Sequence, residues 1–175
     1  MKRHTNNKGF TLVEAIVYAA IFVVLTAMVF AFLVWAVHFQ AKSKALQETL
    51  ENAQRAMNRM VLEVKAAKGI YSPTTTATTQ LSLETTEYLP GGETSTYIDF
   101  FICANRLCMK KESQNPEALT SDTVEITSIN FLEVATASTT PSMQITLTAE
   151  YKNPTNRTEL AASVTLASTA ALRAY

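Results

Sequence analysis

From Ala15 to Val37 the chain runs 23 residues without a formal charge. Coiled as a helix at about 1.5 Å per residue, that run extends roughly 35 Å, enough to cross the hydrocarbon core of a bilayer. A cleaved secretory signal fits poorly, because its apolar core is only about 7–15 residues and closes on a small-residue site. A simple membrane anchor accounts for the run but gives no role to three neighbouring features. Glu14 puts a carboxylate at the mouth of the run, where an unpaired charge is costly. Lys2, Arg3 and Lys8 form a short basic leader, and a single glycine, Gly9, separates that leader from Phe10.

Basic residues ahead of the run and a mixed sequence behind it orient the leader to the cytoplasm and the remainder outside. The full length of 175 residues leaves room for one globular domain besides the membrane segment. Charge is balanced at 15 basic and 15 acidic side chains, and without the leader the balance becomes mildly acidic. A broad electrostatic surface for nucleic acid is therefore not expected, although a small local patch is allowed.

Lys8-Gly9-Phe10-Thr11-Leu12-Val13-Glu14 resembles the processing site of type IV prepilins and of the pseudopilins of type II secretion. The resemblance implies cleavage by a membrane prepilin peptidase after Gly9 and methylation of the new amine on Phe10. It gives Glu14 the place of the family's acidic assembly residue. It further implies sibling pilin or pseudopilin subunits, an inner-membrane assembly platform and membrane lipid as partners. The implied fold is α+β and pilin-like: a long N-terminal helix, hydrophobic then amphipathic, packed on an antiparallel β-sheet. Expected boundaries are a leader at 1–9, a transmembrane or filament-core helix at 10–38, and an exported globular domain at 39–175. Members of the family often carry a proline partway along the apolar segment. This chain has neither proline nor glycine between Gly9 and Gly69.

From Lys42 the pattern turns amphipathic. Leu46, Leu50, Ala53, Met57, Met60 or Val61, and Val64 recur at steps of three and four, predicting a buried helical stripe. Glu51–Arg55 and Arg59–Glu63 have ion-pair spacing on the wetter side. Gly69 reads as the C-cap and Pro73 as the stop, so one helix from Phe10 to Lys68 is expected. Ser72–Thr79 reads as a polar, low-complexity loop.

Strand patterns follow. Gln80–Leu83 is short, Pro90-Gly91-Gly92 turns, and Thr96–Cys103 with Leu107–Lys111 predicts a hairpin tipped by Asn105-Arg106. In that register Cys103 and Cys108 face each other, a spacing that admits either a disulfide or two small apolar side chains on one sheet face. An exported compartment favours the bond. Val124–Val134 alternates with a change of phase near Ser128, Met143–Tyr151 alternates cleanly, and Glu159–Leu172 returns through Val164 and Leu166. Together they predict one antiparallel sheet of four or more strands with the amphipathic half-helix on one face.

The four glycines, at 9, 69, 91 and 92, form no phosphate-cradling loop. His4 and His38 both lie outside the exported core, so its many hydroxyls have no base and its two thiols no metal-binding partners. No cofactor or metal is expected, and the chain does not read as an enzyme. It reads as a structural subunit of a type IV pilus-like filament or type II pseudopilus, more in keeping with a minor subunit than a major one. The competing reading is a filament-tip binding module, an adhesin or DNA-uptake receptor, using Arg106, Lys110 and Lys111 as a basic patch.

Overall fold

The computed structural model describes residues 11–71, 79–87, 89, 91–134 and 141–172. One helix, α1 (Leu12–Ala66), takes up 55 residues. Nothing in its sequence interrupts it, since neither proline nor glycine falls within it. The chain divides between Gln40 and Ala41 into two compact units.

In the first unit every described residue except Thr26 and Ala36 is exposed, and the side chains are overwhelmingly apolar. The most apolar 18-residue window has a mean hydropathy of 2.7 and no buried residue, which makes the helix long and apolar enough to cross a membrane. A hydroxyl there needs an internal acceptor, and Thr26 Oγ1 donates to the Phe22 carbonyl at 2.7 Å. Trp35 stacks on Phe39 with ring centroids 5.7 Å apart and meets Phe32 at 6.2 Å, an aromatic cluster of the kind that sits at a membrane–water boundary.

In the second unit the same helix buries Ala45, Ala53, Ala56, Met57, Met60 and Val64. The predicted stripe holds from Ala53 onward, but Leu46 is 47 % exposed and Ala45 takes the buried position instead. Small residues at three buried positions let the helix axis approach the strands closely, and the methionines fill what remains. The stripe is also more polar than its spacing suggests. Thr49 donates to the Ala45 carbonyl at 2.8 Å, and Glu63, buried beside its Arg59 partner, does not lie on the wet side. Glu51 takes Gln47 as hydrogen-bond partner at 3.3 Å in place of the expected pairing with Arg55.

Gly69 is not the helix cap. The helix ends at Ala66, and Gly69–Ile70 forms a first short strand, β1. The reason is pairing: the Lys68 N–H donates to Glu84 O at 2.8 Å and the Tyr71 N–H to Ser82 O at 2.9 Å. The chain thus passes directly from helix into sheet hydrogen bonds.

The expected single sheet is two antiparallel sheets. β1, β2 (Leu81–Thr85), β3 (Thr96–Cys103), β4 (Arg106–Lys111) and β5 (Glu117–Ala118) lie in sequence order in one. β6 (Val124–Val134), β7 (Ser142–Tyr151) and β8 (Ser163–Ala171) form the other. One core joins them: Met57, Met60 and Val64 of the helix cluster with Leu83, Ile98 and Phe100 of the first sheet and Ile145 and Leu147 of the second. β2, read as a short strand in the sequence, is buried along nearly its whole length. The phase change in β6 is a register shift between Ile126 and Ser128.

The β3–β4 hairpin differs from expectation by one position at its tip. Ala104 and Asn105 form the two-residue turn with φ of 48° and 60°, so Cys103 opposes Arg106 and Cys108 opposes Phe101. Two positive φ values in succession mark the primed turn whose twist matches paired strands. Asn tolerates that region, whereas alanine there is strained. Cys103 and Cys108 are therefore diagonal neighbours, with Cα atoms 5.8 Å apart and sulfurs paired.

Candidate assembly site

Thr11 precedes the helix, and its Oγ1 accepts the Glu14 N–H at 3.3 Å while its carbonyl accepts the Ala15 N–H at 3.1 Å. Thr11 is thus the N-cap, satisfying a donor that the first turn leaves unpaired. Glu14 sits three residues on, where its negative charge also complements the positive end of the helix dipole. One turn further, the Tyr18 hydroxyl donates to Glu14 Oε1 at 3.4 Å. Thr11 therefore fixes the Glu14 backbone, and Tyr18 alone among the described residues meets its carboxylate. Thr11 and Tyr18 went unread in the sequence. The pattern Thr-x-x-Glu ahead of an apolar run is a capping signature, and Tyr18 lies at i+4 from Glu14.

Gly9 and Phe10, the expected cleavage and methylation positions, lie outside the described residues. Around Glu14 the helix surface is apolar and open: Leu12, Val13, Ile16, Val17 and Ile21 are all exposed. A charged carboxylate among side chains that all seek a dry environment enters it at lower cost when a cation goes with it.

The expected basic patch does not form as one surface. Strand alternation puts Arg106 and Lys110 with Cys108 on the outer face of β4, and Lys111 with Leu107 and Met109 on the core side. Lys110 is paired in register with Asp99, which accepts the Ser82 hydroxyl at 2.5 Å. Lys111 lines a separate groove with Arg55, Arg59 and Glu117. The three cations are divided between two faces, with Asp99 opposite Lys110 and Glu117 sharing the groove of Lys111. Among the described residues no three His, Cys, Asp or Glu side chains converge as metal ligands.

The family described as a prokaryotic N-terminal methylation motif matches residues 4–30. The chain carries the type IV prepilin and pseudopilin signature. The match takes in the residues from His4 to the Gly9–Phe10 pair, Glu14 with its cap, and the apolar run as far as Phe30. Neither the curated proteins nor the solved structures give a match. The prepilin signature stands for processing by a prepilin peptidase and assembly with other pilins, and α1 with its two antiparallel sheets is an α+β pilin-like architecture.

Proposed function

We propose that this chain is a minor subunit of a type IV pilus-like filament or type II secretion pseudopilus. It is cut between Gly9 and Phe10, methylated on the new amine, and drawn from the membrane into a bundle of α1 helices. The observation that carries this reading is the coincidence of the methylation-motif match with a fully exposed apolar helix start that holds one carboxylate, Glu14. Cleavage would free a cationic amine at Phe10, one helical turn from Glu14. A staggered neighbour could offer its amine to the same carboxylate, so that Glu14 sets the axial register between subunits.

Replacement of Glu14 tests it. Glu14→Gln retains a hydrogen-bond acceptor for Tyr18 while removing the charge, and Glu14→Val removes both. Both variants should be inserted and processed, with an N-methylated Phe10 in the intact mass, yet enter filaments or priming complexes poorly. Normal incorporation of either variant in cells lacking the unsubstituted copy would rule out Glu14 as the assembly determinant. An uncut N-terminus in cells holding the peptidase would remove the processing reading itself.

A further inference from the structure

The segment from β5 to β6 carries the chain from one sheet to the other, and the β3–β4 hairpin tip grips it at both ends. At the β5 end Leu107 accepts the Leu119 N–H at 2.8 Å and donates its own N–H to Thr120 Oγ1 at 3.2 Å. At the β6 end the Asn105 carbonyl accepts the Ile126 N–H at 2.7 Å, where the register of β6 shifts. Asn105 and Leu107 both lie inside the loop that the Cys103–Cys108 bridge closes. Packing does not fix this tip, since the Ala104 and Asn105 side chains are exposed. Its backbone is also unfavourable at one position. Asparagine tolerates the φ of 60° at Asn105, whereas an L-alanine avoids the 48° of Ala104. Such strain persists only where the surroundings over-determine it, and covalent closure across the base of the tip is the constraint at hand.

We propose that Cys103 and Cys108 form a redox switch on the joint between the two sheets. With the bridge closed, the tip keeps Ala104 at positive φ and presents the Asn105 carbonyl to Ile126. A dithiol reductant opens it by thiol–disulfide exchange. One thiolate of the reductant attacks Sγ of Cys103, which is half-buried, and displaces Cys108, which is 2 % exposed. The second thiol of the reductant then displaces Cys103. Two electrons pass to the protein, the protons of the reductant's thiols end on the two cysteines, and the reductant leaves as a disulfide. Ala104 relaxes to negative φ, the Asn105 carbonyl turns away from the Ile126 N–H, and the grip on the connecting segment is lost. β7 sits between β6 and β8 and keeps both of its ladders, so the change is confined to the joint. The backbone tie between the sheets is thus made under oxidising conditions and released under reducing ones, while the shared core still joins them. The inference stands apart from the role of Glu14 and from the machine the subunit serves.

The test is hydrogen exchange of the full-length chain in detergent micelles, read at single amides with and without dithiothreitol. Alkylation and intact mass should count no free thiol before reduction and two after it. Reduction should speed exchange at Ile126, Leu119 and Leu107 by about tenfold, as for local release of one strained residue, and leave the β7 amides unchanged. Cys103→Ser with Cys108→Ser should reproduce the reduced chain. Ala104→Gly in that background should restore slow exchange at Ile126, because glycine keeps positive φ without a bridge. Free thiols before reduction, or a bridge that dithiothreitol cannot open in the folded chain, would overturn the proposal. Exchange at Ile126 that ignores reduction, acceleration spread equally over β7, or no recovery with Ala104→Gly would do the same.

Discussion

Asn52 is one of three polar side chains, with Thr49 and Glu63, buried on a helix face otherwise made of alanine, methionine and valine, and both ends of its amide are used. Nδ2 donates to the Glu48 carbonyl at 2.9 Å, and Oδ1 accepts the Ser121 N–H at 3.0 Å. Ser121 lies between β5 and β6, so this one side chain fixes the connection that leads from the first sheet to the second. Asn52→Ala leaves the Ser121 N–H without that partner and should cost about 1–3 kcal/mol. Calorimetry should show a melting temperature lower by roughly 3–10 °C. Ala104 gives the opposite sign. Its φ of 48° is strained for an L-residue, and Ala104→Gly should raise stability by about 0.5–1 kcal/mol, read as a higher denaturant midpoint at unchanged slope. Glu14 was legible in the sequence because a charge at the mouth of an apolar run stands out. Asn52 was not, because a polar residue inside a helical stripe reads as an interruption until the structure supplies Ser121, 69 residues away.

At the scale of elements, α1 was legible because an apolar run of membrane-spanning length and then a three–four stripe both point to helix. Its end was not. Gly69 carries the usual stop signal, and only the hydrogen bonds to Glu84 and Ser82 turn that segment into a strand. The hairpin strands were legible by alternation, and their tip was misplaced because alanine rarely takes positive φ. We propose that the Cys103–Cys108 bond forms in the exported protein. Intact mass should show no free thiol, and Cys103→Ser with Cys108→Ser should cost about 2 kcal/mol from loop closure over five residues of separation. The buried face of α1 predicts a truncation series. A chain beginning at Ala41 should melt cooperatively as a soluble domain, whereas one beginning after Val64 should aggregate, because Leu83, Phe100 and Ile145 lose the layer that shares their core. A cooperative, monomeric melt of the shorter chain would contradict this packing account.

For the whole molecule, layering was legible and the partition of strands was not. Alternation says which side of a strand is apolar, and it is silent on which strands share hydrogen bonds. The break between β5 and β6 depends on how the segment from Leu119 to Thr123 turns, a matter of bonds such as Leu107 N–H to Thr120 Oγ1 that no local pattern announces. The tie between Asn52 and Ser121 also has a consequence in time. The helix face is synthesised first, and the residue that clasps Asn52 follows 69 positions later. At about 5–20 residues per second the delay is roughly 3–14 s, far longer than a helix needs to form. During that interval Met57, Met60 and Val64 face solvent or a chaperone, and the nascent chain should be cut there by a protease that cannot touch the finished protein. Protection of this stretch should arrive late and abruptly, once β6 and β7 have left the ribosome.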